Sequence, residues 1–363
     1  MRRLFHDSRE PILNAPVGRR SASRGTRPGR AIGGKAFGNR PSGGIGGGMR
    51  KLLAALLFCL VPGSAGFPQA EVKVVATPVP LDPDDPARTT VGRLRYLGGW
   101  QLTSRQRDFG GYSALSVQGD RFLALSDTGH YLRFRMATPG VVSDSRFGEL
   151  PAFPGYEGRK GDRDSESMTI GPEGDVWVGF EYHNAILRYS PDLTLLQAVA
   201  FPPAMKDWSR NSGPEAMVRL AGGRFVVFAE GRAIAPHVHA ALMFPGDPTK
   251  ARNAPYQFGY RPPRDGYVPT DAAQLPDGRL VILHRRFGLL DGFSAIVGIA
   301  DPVRIAPGAT LTSELVAELK PPLTVDNMEG IAATRDGDRT ILWIISDDNR
   351  VPIERTLLLK FEL

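Results

Sequence analysis

The sequence predicts an all-β protein, a β-propeller of six blades with four antiparallel strands each. Three observations carry that expectation. A glycine turn followed by an apolar strand recurs along the chain, the spacing of these turns is the size of one blade, and the body of the chain has little sustained helical periodicity.

The turns are Gly119-Asp120 before Arg121–Ser126, Glu173-Gly174 before Asp175–Phe180, Gly222-Gly223 before Arg224–Phe228, Asp277-Gly278 before Arg279–Leu283, and Asp336-Gly337 before Thr340–Ile345. Their second residues, 120, 174, 223, 278 and 337, lie 54, 49, 55 and 59 residues apart. A four-stranded sheet cannot bury both of its faces alone, so sheets repeating at such a period stack around an axis. Dividing the roughly 290 residues after residue 70 by this period gives six blades. Five are marked by turns. The sixth is expected to combine an N-terminal strand near Val91–Leu97 with the C-terminal strand Leu357–Leu363, which leaves no open edge. A large β-sandwich is the competing architecture. Trp177, Phe228, Trp343 and Ile345 are read as packing residues between blades.

Residues 1–48 are rich in Gly, Arg and Ser and cannot bury enough apolar surface to offset the entropy of ordering, so they read as a disordered or untranslated extension. Met49-Arg50-Lys51, the apolar run Leu52–Val61 and the small residues of Pro62–Gly66 have the order of a cleaved secretory signal, assigned to residues 49–70 with translation starting at Met49. That run is far shorter than the ~20 residues a membrane span requires, so no stable membrane anchor is expected and the protein is placed in the periplasm or outside the cell. Arg2-Arg3 has no apolar segment close behind it and does not make a twin-arginine signal. The single cysteine, Cys59, falls inside the signal run, so the exported chain has no disulfide and depends on a large core. Residues 71–96 read as a lead-in strand or linker and 97–363 as the propeller domain, expected to be a monomer.

The formal net charge of +7 suggests a nucleic-acid partner until it is divided along the chain. The first 51 residues hold 12 of the 45 Lys and Arg and 2 of the 38 Asp and Glu; the remaining 33 and 36 give residues 52–363 a net charge of −3. The electrostatic case for nucleic acid therefore disappears with the N-terminal extension.

Acidic residues follow the repeat. Asp127 ends one strand, Asp164-Ser165-Glu166-Ser167-Met168 opens the next inner strand, and Glu181 ends its partner; Pro214-Glu215-Ala216 with Glu230, Thr270-Asp271 with His284-Arg285-Arg286, and Met328-Glu329-Gly330 with Asp347-Asp348-Asn349 repeat the arrangement. An acid at the start of one strand and an acid at the end of its antiparallel neighbour lie at the same end of a sheet. Asp127, Asp164, Glu166, Glu215, Glu230, Asp271, Glu329, Asp347 and Asp348 are therefore expected to face one axial cavity. Carboxylates brought together must stay hydrated, take up protons, pair with arginine or share a cation. A donor set of Asp, Glu and Asn without clustered His or Cys suits a hard ion such as Ca²⁺. The same residues beside glycine are also ordinary turn formers.

At these residues the chain resembles the phytase-like family, described as having esterase-like activity, whose members are secreted bacterial β-propellers. The resemblance spans about Gly98 to Phe361 and rests on Phe109–Leu115, Leu125–Gly129, Asp164–Met168, Glu181 with Asn184–Arg188, Asn211–Met217, Asp326–Ile331 and Ser346–Asn349, in that order and spacing. It implies kinship with phosphate-ester hydrolases in which acidic residues hold calcium and calcium holds phosphate. One departure stands out: where the family tends to carry an acid before Arg, this chain has His284-Arg285-Arg286, so one acidic ligand is missing.

The expected chemistry is hydrolysis of a phosphate ester, with a carboxylic ester as the alternative, and with metal ions bridged by Asp127, Glu166, Glu215 and Glu329. Arg285 or Arg286 would clamp phosphate oxygens, and His183 beside Glu181 would serve as general acid. A serine-esterase mechanism at Ser113 lacks the Gly-x-Ser-x-Gly elbow. His237 and His239 have the spacing of a two-imidazole metal site without a third soft ligand nearby. Trp208 is expected to anchor a loop. The alternative to a hydrolase is a non-catalytic propeller that binds a ligand or an envelope partner, which would expose apolar rim residues; the sequence does not make such residues obvious.

Overall fold

Gly119, Gly174, Gly223, Gly278 and Gly337 all take positive φ, between 60° and 91°, a region that a residue with a Cβ enters at a cost. Each lies in the tight turn between the innermost strand of a sheet and its second strand, so the repeat seen in the sequence marks one inner hairpin per blade. The computed structural model describes residues 73–152 and 160–363. The expectations for residues 1–70 lie outside the described residues.

Among the described residues there are five sheets. Blade 1 comprises Tyr112–Gln118, Arg121–Ser126, His130–Thr138 and Val141–Glu149; blade 2 comprises Ser165–Ile170, Val176–Phe180, Ala185–Tyr189 and Leu196–Ala200. Blade 3 comprises Pro214–Arg219, Phe225–Ala235, Val238–Phe244 and Tyr256–Arg261, with the short parallel strand Thr310–Thr312 at its outer edge. Blade 4 comprises Val268–Gln274, Leu280–Gly288, Gly292–Ala300 and Glu314–Leu319. Blade 5 is built from both ends of the propeller. Asn327–Asp336, Arg339–Asp347 and Leu357–Glu362 pair outward to Leu94–Ser104 and then to Val74–Pro78.

Five blades, rather than the six expected, correct the sequence reading. The terminal strands counted as a sixth blade instead complete the fifth, because they supply only outer strands and no further inner hairpin. Leu358 pairs with Trp100 and Phe361 with Tyr96, so the N-terminal strand closes the ring against the C-terminal one. The five inner strands pack against one another in cyclic order, blade 5 meeting blade 1.

Packing explains why the strands read as continuous apolar runs. Each blade is covered on both faces, and successive residues of a strand face different neighbours. In blade 5, Trp343 and Ile345 pack with Phe122 and Phe134 of blade 1, whereas Leu342 and Ile344 pack with Val281 and Leu283 of blade 4. Blades 1 and 2, 2 and 3, and 3 and 4 enclose three further cores, to which Leu125 with Val178, Trp177 with Phe225, and Phe228 with Ile282 belong. Trp177, Phe228, Trp343 and Ile345 thus sit between blades as expected. Trp208 is buried in the core between blades 2 and 3, and its carbonyl accepts from Asn184 Nδ2 at 3.0 Å, so it anchors its loop. No helix among the described residues is long and apolar enough to cross a membrane.

Candidate functional site

Every inner strand carries a β-bulge at its first turn toward the axis. The register skips one residue between Tyr112 and Ala114, Ser165 and Ser167, Pro214 and Ala216, Pro269 and Asp271, and Met328 and Gly330. The extra residue of a bulge leaves the ladder and its side chain is re-aimed. Those extra residues are Ser113, Glu166, Glu215, Thr270 and Glu329. Three of the five blades therefore send a glutamate toward the axis from an equivalent position.

A second set comes from the end of each second strand. Asp127, Glu181 and Glu230 donate their backbone N–H to Gly111, Asp164 and Gly213, the residues that precede the inner strands. Arg285 and Asp347 occupy the same place opposite Val268 and Asn327. The two sets meet in an axial funnel of about 230 Å³ lined by Asp127, Glu166, Glu181, Glu215, Glu230, Arg285, Glu329 and Asp347, with Asn211, Asn327 and Asn349. Four blades give an acid at the second position and blade 4 gives Arg285. Its Nη2 donates to Glu230 Oε1 at 2.9 Å, and its Nε lies 3.0 Å from Glu329 Oε1.

Seven carboxylates around one guanidinium leave excess negative charge in a partly dry space. Burial raises Glu181 to about 7, Glu329 to about 8 and Asp347 to about 7. Burial together with neighbouring acids pushes Glu166 and Glu215 well above the usual carboxylate range. Glu329 is held back from a larger rise by Arg285. Glu215 and Glu181 share a hydrogen bond, which requires a proton held between the two carboxyls.

The funnel residues fit a hard cation. Asp164, Glu166 and Glu181 each bring a carboxylate oxygen within 4.8 Å of the other two. Oxygens bound to one Ca²⁺ at 2.3–2.6 Å lie no more than about 5 Å apart, so these three are within reach of a single ion.

Of the nine acids expected at one cavity, Asp127, Glu166, Glu181's neighbours Glu215 and Glu230, Glu329 and Asp347 line it, and Asp164 joins through Glu166 and Glu181. Asp271 is set apart. It follows the bulged Thr270, so its side chain points into the seam between blades, where Oδ1 accepts from Ala272 N and Oδ2 from Ile331 N, both at 2.8 Å. Asp348 also lies off the funnel. It braces the rim loops through Gly111 N, Arg350 N and Thr356 Oγ1.

The four residues expected to do chemistry divide in the same way. Glu181 and Arg285 line the funnel. Arg286, one residue on, faces the other side of its strand, paired with Asp291 and lying over the Tyr267 ring. His183 is held by Asp162 through Nε2 at 3.1 Å and is not among the lining residues. Ser113 is buried at its bulge. His237 and His239 do not converge: His237 has a left-handed φ of 58° and faces Asp265, while His239 Nδ1 donates to the Glu230 carbonyl.

Two features were missed. Asn211, Asn327 and Asn349 line the funnel, although each stands in a motif already read for its acids. The hairpin that carries Arg285 continues to a tip where Phe287, Leu289 and Leu290 are exposed, and the loop after Asp347 exposes Ile353. Blades 4 and 5 therefore carry exposed apolar residues just beyond the strand ends that supply Arg285 and Asp347 to the funnel.

A closed ring of five β-sheets with an acid-lined funnel at one end of its axis defines a β-propeller with an axial polar site. The chain belongs to the phytase-like family, described as esterase-like activity of phytase, which matches residues 107–350. No curated protein matches the sequence. Among solved structures, virginiamycin B lyase from Staphylococcus aureus is similar at 13% identity, covering 80% of this chain and 100% of that one, with a TM-score of 0.37. The PQQ-bound aldose sugar dehydrogenase from Streptomyces coelicolor is similar at 14% identity, covering 76% and 99%, with a TM-score of 0.39. Likenesses at that level carry no argument about this chain.

Proposed function

We propose that the protein is an exported ester hydrolase that acts on a phosphate ester, a carboxylic ester being the alternative substrate, with a divalent cation held in the axial funnel. The observation that carries this reading is the convergence of Asp164, Glu166 and Glu181 within 4.8 Å in a cavity whose acids outnumber its one arginine. Family membership supports it. The donor chemistry favours Ca²⁺.

When bound, such an ion supplies positive charge against the ester oxygens and lowers the pKa of an attacking water. The chain's own residues do the rest. Arg285 is hydrogen-bonded through Nη2 to Glu230 and ion-paired with Glu329, and neither contact uses Nη1. Nη1 is therefore a preset donor for a substrate oxygen. The Glu215–Glu181 pair, which holds a shared proton, is the group placed to protonate the leaving alcohol. Glu329, with a pKa of about 8, exchanges protons near neutral pH in the same cavity.

Stripping the protein with EDTA and titrating Ca²⁺ should raise its melting temperature, because an ion bound only by the folded state stabilises it. Turnover of a chromogenic phosphomonoester should return with the ion, and Glu166→Gln should remove both effects. Absence of a shift together with absence of turnover on phosphate and carboxylic esters would overturn the reading. Export from Met49 is checked separately, by sequencing the N-terminus of protein recovered from the periplasm or the medium. Full-length protein confined to the cytoplasm would exclude it.

A second reading has its own observation. Leu289 at 94% and Leu290 at 102% exposure give blade 4 the apolar surface expected of a non-catalytic propeller that docks an envelope partner. Under that reading, changing both leucines to serine abolishes cross-linking to the partner and leaves ester turnover, if any, unchanged.

A further inference from the structure

The funnel wall formed by blades 5 and 1 carries a group that the proposed chemistry leaves unused. Asn327 is only 2% exposed and lines the funnel. Its side chain hydrogen-bonds the Glu329 carboxylate, which an amide does through its N–H. Its Oδ1 has no hydrogen-bond partner. Buried polar oxygens are nearly always satisfied, so this one marks a place for a donor or a cation.

The cross-strand partner of Asn327 is Asp347, 6% exposed, whose Oδ1 accepts from Asn349 N at 2.6 Å. The strongest charges acting on Asp347 are those of Asp127, Asp348 and Glu354, and Glu329 acts on it too; all are acids. Among the described residues no arginine, lysine or histidine forms an ion pair with it. Glu329, by contrast, is matched by Arg285, and Asp127 lies 3.9 Å from Arg350 Nη2. A water could donate to the amide oxygen but would bring no positive charge to the acids around Asp347. A cation answers both.

We propose that Asn327 Oδ1 and Asp347, with Asp127 beside them, form a second divalent-cation site in the funnel, separate from the one at Asp164, Glu166 and Glu181. The inference extends the reading above from one ion to two, and it does not require that the protein be catalytic. The two sites share no ligand, so each can be removed alone.

The test is calorimetric titration of the EDTA-stripped protein with CaCl₂, paired with metal analysis after desalting. The wild type should bind two equivalents. Asn327→Leu, which keeps the size of the side chain, and Asp347→Asn should each lose one equivalent or weaken it at least tenfold. Glu166→Gln should lose the other. One equivalent in the wild type, lost in Glu166→Gln and kept in both Asn327→Leu and Asp347→Asn, overturns the second site and leaves the first standing. One equivalent with the opposite pattern keeps the second site and overturns the first. No binding at all overturns both, and a circular dichroism spectrum identical to wild type is required of each variant.

Discussion

Arg285 stands where the other four blades place Asp127, Glu181, Glu230 and Asp347, and it is the funnel's fixed positive charge. Replacing it with methionine leaves Glu230 and Glu329 without their partner, which for half-buried pairs costs about 2–3 kcal/mol. Urea unfolding of Arg285→Met in EDTA should show that loss, and excess Ca²⁺ should recover part of it. Asp271 makes the opposite prediction. Its carboxyl satisfies the backbone N–H groups of Ala272 and Ile331 in a blade seam, so Asp271→Ala should cost about 2–4 kcal/mol in unfolding experiments and leave Ca²⁺ stoichiometry unchanged. The slip that put Asp271 among the funnel acids was avoidable. Pro214-Glu215-Ala216 set against Pro269-Thr270-Asp271 makes Thr270 the counterpart of the glutamate. A one-residue offset moves a side chain to the other face of a strand. Arg285, in contrast, was legible as the departure from an acidic pattern, whereas its ties to Glu230 and Glu329 join residues far apart in the chain.

The blade hairpin is the element in which sequence and structure agree best. Five glycines at a regular spacing became five left-handed turn positions, because the turn from inner to second strand needs a backbone that only glycine adopts without strain. No neighbouring atom lies within 4.0 Å of a Cβ built at Gly278 other than the end of the Gln274 side chain, at 4.0 Å, so the demand there is torsional. Gly278→Ala is therefore expected to cost about 1–2 kcal/mol and to lower the melting temperature by about 2–8 °C in a thermal scan. Bulges were not legible. They are defined by which residue of the partner strand faces which, and that register exists only once the two strands have paired. The blade count failed for a related reason. The strand Leu94–Ser104 has the pattern of any outer strand, and nothing local says that its partner is Leu357–Glu362 at the far end of the chain.

At the scale of the whole molecule, the funnel acids make stability depend on pH in a direction that distinguishes the free from the cation-loaded protein. Glu181, Asp347 and Glu329 have folded values of about 7, 7 and 8, above those of the unfolded chain. The folded state therefore binds more protons, and stability falls as pH rises. The loss begins near pH 4, where the unfolded carboxylates start to ionise, and is complete above about pH 8. In EDTA the melting temperature should decline across that window, by an amount that reflects a few kcal/mol shared among coupled groups. Saturating Ca²⁺ should flatten the decline, because an ion that binds the ionised acids favours their charged form. A melting temperature that rises from pH 5 to pH 8 in EDTA would contradict this electrostatic account.

The sequence by itself determined the all-β class, the blade repeat and the acids that return with it, because strand periodicity, turn glycines and residue type are local properties. It also carried the family, through short motifs in a fixed order. Tertiary structure alone decided that the blades number five, that Arg285 joins Glu230 to Glu329, and that Asn327 turns an unpartnered oxygen into the funnel. Each of these depends on ring closure and on strand register. Both are set by contacts between residues that only the packed fold brings together.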